Sequence, residues 1–253
     1  MSKTVTFIGN GNMALSIARG LASRYTIEVA GRNAGRLEKF EKELGVPVKR
    51  YPLDGFDIGG KTVMLCVKPA NTEEVGRMLK GRAEVIYSVL AGTTIQKLSE
   101  NFNAETIIRS MPNLAATVGR SMTTITGDAS YRDEAEKLLS SIGTTLWLNS
   151  EKELDIATAL AGSGPAYLAL IAEALTDGAV KQGLKRDDAL SLMRGLFGGF
   201  GELIRHEHPA LLKDAVMSPG GTTAAGYGAL EDAGVRKGCI NAIEKAYKRA
   251  KEL

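Results

Sequence analysis

The residues Val5-Thr6-Phe7-Ile8-Gly9-Asn10-Gly11-Asn12-Met13-Ala14 carry the clearest chemical pattern in the chain. Gly9, Gly11 and Ala14 are spaced as G-x-G-x-x-A, directly after an apolar run and directly before a helical pattern. That spacing suits a dinucleotide. The first glycine allows a tight turn, the second lets backbone approach a pyrophosphate, and the small third residue lets a helix pack close to its strand. The helix would then offer its free N–H groups to the anion. The same run is also compatible with an ordinary glycine-rich turn of an α/β fold. In NAD-binding units an acidic residue about 20 positions further on, at the end of the second strand, holds the ribose hydroxyls. Here the stretch Ile27-Glu28-Val29-Ala30-Gly31-Arg32-Asn33 ends in Gly31 and Arg32, and Glu28 falls before the strand end. A guanidinium can grip a 2′-phosphate in a forked geometry. Arg32 therefore favours NADPH, with NADH as the alternative donor; its plain alternative is a solvated loop charge.

Further candidates lie at the ends of later strands and between helices. Cys66-Val67-Lys68-Pro69 closes one apolar run, and ligands of open α/β sheets gather at the carboxyl ends of strands. Lys68 is thus aimed near a cofactor or substrate, or is a surface lysine before a turn proline. Val89-Leu90-Ala91-Gly92 and Ser110-Met111-Pro112-Asn113 end the next strands on the same edge. In the second half, Ala161-Gly162-Ser163-Gly164-Pro165-Ala166-Tyr167 interrupts a helical region with small residues that permit close approach. Ser218-Pro219-Gly220-Gly221-Thr222-Thr223 lies between two helical patterns. Its backbone N–H groups and hydroxyls make a nest for a carboxylate or phosphate, though Pro-Gly-Gly is equally a common helix connector.

The usual reactive side chains are scarce. The 253 residues include two His, His206 and His208, whose separation does not match the i, i+4 spacing of helix-borne metal pairs. The two Cys, Cys66 and Cys239, form no C-x-x-C, which argues against a zinc site or a disulfide framework. No metal is expected. A net charge of +3 with no block of like charges argues against a dedicated nucleic-acid binder. Met1-Ser2-Lys3-Thr4 runs straight into Val5 without a leader-like apolar core, and Ile156–Leu175 is broken by Gly162, Pro165 and Glu173. No membrane association and a cytoplasmic location are expected. Glycine is the one excess: 29 of 253, about 11% against roughly 7% on average.

The elements that must position these residues follow from periodicity. Short apolar runs (Val5–Ile8, Ile27–Ala30, Thr62–Val67, Val85–Val89, Thr106–Arg109, Met122–Thr126, Thr145–Leu148) alternate with helical patterns (Met13–Ser23, Ala34–Leu44, Thr72–Leu79, Ile95–Glu100, Asp133–Ser141). Such alternation predicts βαβ units and a largely parallel sheet with helices on both faces. From Glu151 onward no strand is expected. Leu154, Thr158, Ala161, Leu168, Ile171, Ala172 and Leu175 recur at helical spacing, and further helices are expected over Arg186–Arg205, Pro209–Val216, Thr223–Asp232 and Val235–Lys251. The reading is an α/β dinucleotide-binding domain over 1–150 and an all-helical domain over 151–253.

Together, Val5–Ala14, Cys66–Pro69, Met111–Asn113, Leu160–Tyr167 and Lys213–Glu231 make the chain resemble the pyrroline-5-carboxylate reductase family, in the family's order and over nearly the whole length. The resemblance implies reduction of 1-pyrroline-5-carboxylate to L-proline with NADPH or NADH, the last step of proline biosynthesis. It implies an N-terminal Rossmann-type domain and a C-terminal all-helical substrate-binding and dimerisation domain. It also implies a homodimer with interlocked helical domains, in some members a ring of dimers. Carried over by position, Gly9, Asn10, Gly11, Asn12 and Met13 match the pyrophosphate loop. Arg32 and Asn33 match the 2′-phosphate segment, and Val67, Lys68, Pro69 and Ala91 match the cofactor-facing loops. Ser218, Gly220, Gly221 and Thr222 match the loop that binds the substrate carboxylate. Thr223 matches the catalytic hydroxyl facing the ring nitrogen, and Glu151 a residue near the proline site. The chain departs from the family's pattern at Leu53, Leu114 and Ala215, where the family commonly has other residues. Two other readings stay in view. A β-hydroxyacid dehydrogenase would carry a catalytic lysine in a G-x-x-x-N-x-x-K run, which does not occur after Gly162. A dinucleotide-sensing regulator would need no Ser218–Thr223 loop.

Overall fold

The computed structural model describes residues 3–252; Met1 and Ser2, which entered the expectation about a leader, lie outside the described residues, as does Leu253. Two compact units divide the chain: Met1–Pro165 with Lys245–Leu253, and Ala166–Glu244.

The first unit is built on an eight-stranded sheet in the order β3-β2-β1-β4-β5-β6-β7-β8. Its strands are β1 (Thr4–Ile8), β2 (Thr26–Gly31), β3 (Lys49–Pro52), β4 (Thr62–Leu65), β5 (Ala83–Ser88), β6 (Ala104–Met111), β7 (Ser121–Thr126) and β8 (Gly143–Trp147). All neighbours pair parallel except β6 with β7. The helices are α1 (Asn12–Leu21), α2 (Ala34–Leu44), α3 (Thr72–Met78), α4 (Ile95–Asn101), α5 (Arg132–Leu139) and α6 (Glu151–Ala157). Successive strand residues point to opposite faces. Phe7, Met64, Val85, Tyr87 and Ile108 join one buried cluster with residues of α1, α2 and α5. Ile8, Leu65, Ile86 and Ile107 join another with Val75 of α3 and Leu98 of α4. Fully burying a side chain such as Phe7 or Ile8 contributes about 1.5–3 kcal/mol, and the two clusters fix the sheet against helices on both sides.

The strand order reverses direction at β1 and β4, which places a crevice outside the carboxyl ends of these strands. The α/β reading therefore holds. One strand was not expected: β3 is a short edge strand, Lys49-Arg50-Tyr51-Pro52, mostly exposed. Charged residues and proline on an edge discourage further pairing, and they also erase the apolar signal by which a strand is read.

After α6 a π-helical turn, Thr158–Gly162, leads to α7 (Gly164–Lys181). The small residues expected to interrupt this helix instead widen it by a single turn, and the helical run continues through them. The second unit holds most of α7, then α8 (Arg186–Leu203), α9 (Pro209–Val216), α10 (Thr222–Asp232) and the start of α11 (Val235–Ala250). No strand follows Trp147 among the described residues.

Candidate active site

In the sheet unit the fingerprint loop joins β1 to α1. Gly9 has φ +101°, a left-handed backbone that glycine adopts without steric cost. A Cβ there would lie 2.6 Å from the Cys66 carbonyl oxygen, so the turn also needs glycine for close approach to the end of β4. The Gly9 N–H donates to the Ala30 carbonyl (3.0 Å), and the Cys66 N–H to the Ile8 carbonyl (2.8 Å). Burial pushes the Cys66 thiol up, so it stays neutral and is no nucleophile.

Gly11 is different. Its φ of −82° suits any residue, and a Cβ there would meet nothing within 4 Å. The protein's own packing does not require glycine at this position, whereas a backbone-bound pyrophosphate would. Gly11 is also the N-cap of α1, with no side-chain cap and no acidic residue in the first turn. The amide nitrogen of Asn10 is buried without a partner. Uncapped helix N–H groups, an orphaned amide and an open face over glycine together fit a dinucleotide phosphate.

Arg32 and Asn33 leave the end of β2. Asn33 caps α2, its Oδ1 accepting from the Arg36 N–H at 3.0 Å, so its remaining amide donors are the groups left for a ligand. Arg32 Nη1 donates to both carboxylate oxygens of Glu74 in α3, each at 2.9 Å. Glu28, the competing acid on β2, is buried at mid-strand, with Thr6 Oγ1 at 3.3 Å and Lys61 Nζ at 3.1 Å on its Oε2. It therefore does not reach the strand end. Lys68 is exposed and precedes a 3-10 turn, Pro69–Asn71. Ala91 follows β5, its carbonyl accepting from Thr93 Oγ1 at 3.4 Å. Gly9–Met13, Arg32, Asn33, Val67, Lys68, Pro69 and Ala91 thus share the carboxyl-end edge of β1, β2, β4 and β5.

Glu151 is also in this unit, at the start of α6. Its Oε1 accepts from Arg109 Nη1 (2.9 Å) and from the Ile95 N–H (2.8 Å), while Arg109 Nη2 donates to Asp155 Oδ1 at 2.8 Å. Arg109, near the end of β6, is 1% exposed. Nearby, Asn113 Nδ2 donates to the Ala161 carbonyl at 3.0 Å and so ties the end of β6 to the π turn. The sequence reading missed Glu74, Arg109 and Asp155. Glu151 and Asp155 share a helix face at i, i+4, which was a legible signal; their partner 42 and 46 residues upstream was not.

In the second unit, Ser218-Pro219-Gly220-Gly221 leads into α10. Gly220 has φ +70°, and the Gly221 N–H donates to the Ser218 carbonyl at 3.0 Å, closing a turn. A Cβ on Gly221 would lie 2.5 Å from Ser218 Oγ, so the hydroxyl sits directly over this backbone. Gly221 is the N-cap of α10, without a side-chain cap or a first-turn acid. By contrast α2, α4 and α6 are capped by Asn33, Thr94 and Ser150. Thr222 and Thr223 are exposed at this uncapped end. Behind it, Glu231 accepts from Tyr227 Oη (2.6 Å) and Arg236 Nε (3.0 Å). The Arg236 guanidinium, and then the Tyr227 hydroxyl, hold its carboxyl down at about 2. Lys213 Nζ lies 5.6 Å from the Tyr227 ring centroid, so α9, α10 and α11 are laced together beside the loop. No group of three or more metal-ligating side chains occurs among the described residues.

Comparison with known proteins adds independent findings. The family model described as pyrroline-5-carboxylate reductase dimerisation matches residues 151–253, and one described as NADP oxidoreductase, coenzyme F420-dependent, matches residues 4–92. The chain is 37% identical to a pyrroline-5-carboxylate reductase of Synechocystis sp., covering 100% of this chain and 99% of that protein. It is 39% identical to the Pisum sativum enzyme of the same name, covering 100% and 96%. Among solved structures, 1-pyrroline-5-carboxylate reductase from Streptococcus pyogenes superposes with a TM-score of 0.88 at 30% identity, covering 100% of this chain and 99% of that one. The Plasmodium falciparum pyrroline carboxylate reductase with NADP bound shares the fold, with a TM-score of 0.80 at 24% identity over 99% and 97% of the two chains.

Proposed function

The chain belongs to the pyrroline-5-carboxylate reductase family, and on that premise we propose that it reduces 1-pyrroline-5-carboxylate to L-proline, the last step of proline biosynthesis, using NADPH, with NADH as the alternative donor. The observation that carries this reading is that α1 in one unit and α10 in the other each begin on a glycine N-cap with no side-chain cap and no first-turn acid. Gly11 before α1 suits a pyrophosphate, and Gly221 before α10 suits a substrate carboxylate. A regulator that only senses a dinucleotide would have no use for the second.

NADPH, when bound, supplies the hydride. Gly9–Met13 would hold its pyrophosphate, Arg32 and Asn33 its 2′-phosphate, and Val67, Lys68, Pro69 and Ala91 would line the path toward the reacting end. The Ser218 hydroxyl and the N–H groups of Gly220 and Thr222 bind the carboxylate of the cyclic imine, while Gly221, whose own N–H closes the turn on the Ser218 carbonyl, shapes the loop that presents them. The Thr223 hydroxyl hydrogen-bonds the ring nitrogen as that nitrogen loses its positive charge. A protonated imine is already electrophilic, so no strong general acid is needed, and this accounts for the few histidines. Holding two reactants in alignment lowers a barrier by roughly 7–11 kcal/mol. Glu151, its Oε1 committed to Arg109 and Ile95, serves the site by fixing the start of α6.

Glu151–Lys181 is long and apolar enough by length and composition to cross a bilayer. The dimerisation family model begins at this same residue, and α6 is anchored to the sheet through Glu151 and Asp155. The exposed apolar residues of α7 therefore serve a subunit interface in our reading, with no membrane and no nucleic acid as partner. The assembly would be a homodimer with interlocked helical domains, in the cytoplasm, with a ring of dimers as the larger form. The deciding assay follows the near-ultraviolet absorbance of NADPH and the formation of proline. The expected result is NADPH consumption that depends on 1-pyrroline-5-carboxylate. Binding of NADPH without turnover would instead favour the sensing regulator, and turnover with a hydroxy acid alone the dehydrogenase.

A further inference from the structure

Arg32 already has a partner. Its Nη1 lies 2.9 Å from both Oε1 and Oε2 of Glu74. The two residues come from opposite sides of the fingerprint. Arg32 follows β2 and Glu74 lies in the first turn of α3, which follows β4, and β2 and β4 are the strands that flank β1. The ion pair thus bridges the two loops on either side of the carboxyl end of β1, where Gly9–Gly11 turns. Neighbouring acids are engaged elsewhere: Glu73 pairs with Arg77, and Glu38 and Glu41 approach Arg50. Glu74 is therefore the carboxylate that faces Arg32. Its place in a first helical turn suits a negative charge. The side chains are 49% and 51% exposed, so the pair can open without uncovering a buried charge.

We propose that Glu74 is a specificity-determining residue that competes with the 2′-phosphate of NADPH for Arg32. The inference rests on the assignment of Arg32 to that phosphate. A dinucleotide bearing the 2′-phosphate must displace Glu74 from the guanidinium, and the displaced carboxylate remains as a like charge close by. A dinucleotide with a free 2′-hydroxyl can bind with the pair intact. Glu74 thereby narrows the gap between NADPH and NADH, even though Arg32 alone would widen it. Exposed ion pairs shift equilibria by up to about fivefold, and salt screens them.

The test is calorimetric titration of the full-length protein with 2′,5′-ADP and with 5′-AMP, which differs from it only in lacking the 2′-phosphate. Wild type, Glu74→Gln, Arg32→Ala and the double variant are compared. Glu74→Gln is expected to tighten 2′,5′-ADP about two- to fivefold and to leave 5′-AMP unchanged. The gain should shrink in high salt and vanish in the Arg32→Ala background. Glu74→Ala, which also removes the charge, should behave as Glu74→Gln does, and an unchanged melting temperature shows that each variant is folded. If Glu74→Gln leaves 2′,5′-ADP unchanged, weakens it, or tightens both nucleotides alike, the competition is overturned while Arg32 keeps its role. If Arg32→Ala weakens both nucleotides equally, or neither, the phosphate assignment itself fails and the role of Glu74 falls with it.

Discussion

Gly9 and Gly11 stand two apart in one loop, yet a methyl group at each should have opposite consequences. At Gly9 the backbone is left-handed and a Cβ would press on the Cys66 carbonyl oxygen at 2.6 Å. Gly9→Ala is therefore expected to lower the melting temperature of the protein. At Gly11 the backbone accepts alanine and the space is open. Gly11→Ala should melt as wild type does but bind NADPH about tenfold more weakly or worse, the scale of roughly 1–3 kcal/mol for a methyl forced into a close contact. Thermal melting and cofactor titration of the two variants separate a glycine the fold needs from one the ligand needs. At Thr223 the expected loss is in turnover. A hydrogen bond to a charged group contributes about 1.5–3 kcal/mol, so Thr223→Ala should lower kcat about 10–100-fold. Unchanged kinetics would remove Thr223 from the mechanism.

Between elements, the Arg109 cluster is the main polar tie. Arg109 brings β6 to Glu151 and Asp155 on α6, and Glu151 in turn takes the Ile95 N–H at the start of α4. Removing the cation leaves two carboxylates facing each other one helical turn apart. Breaking a buried pair by deleting one partner costs about 3–5 kcal/mol. Arg109→Met is expected to lower the melting temperature by roughly 10 °C, from about 2–4 °C per kcal/mol in a unit of this size. An unchanged melting curve would show that apolar packing alone holds α6 to the sheet. The Arg109 Nε has no partner, so the cluster is under-satisfied and its geometry is held by the surrounding sheet.

At the scale of the molecule, the second unit does not bury itself. Thr176 and Ala189 are the buried residues among its described positions. Leu168, Leu170, Leu192, Leu196, Leu203 and Ile240 are each more than half exposed. Apolar surface on this scale marks an association surface, and the dimerisation family model covers it. Leu192→Asp with Leu196→Asp should therefore shift the protein toward monomer in light scattering and lower its melting temperature, removing the concentration dependence expected of the wild-type assembly. Retention of the wild-type mass would place the interface elsewhere on the helices.

Features with a local cause are legible along the chain. The strand-turn-helix at Gly9–Ala14 follows from sterics within ten residues. The bounds of α2 were legible because Asn33 caps its start and Gly45, at φ +77°, ends it. The change from alternating strands and helices to helices alone follows from a change in hydrophobic period. Features that depend on distant partners emerge only once the chain is folded. β3 is a strand because β2 supplies its ladder, not because Lys49-Arg50-Tyr51-Pro52 favours one. Arg109 looks like a charge ending a strand until the fold buries it against carboxylates far along the chain. Arg32 and Glu74 meet, 42 residues apart, because β2 and β4 flank β1. Period and backbone sterics act over one or two turns and can be read along the chain. Charge pairing acts through space, and only the strand order brings these charges together.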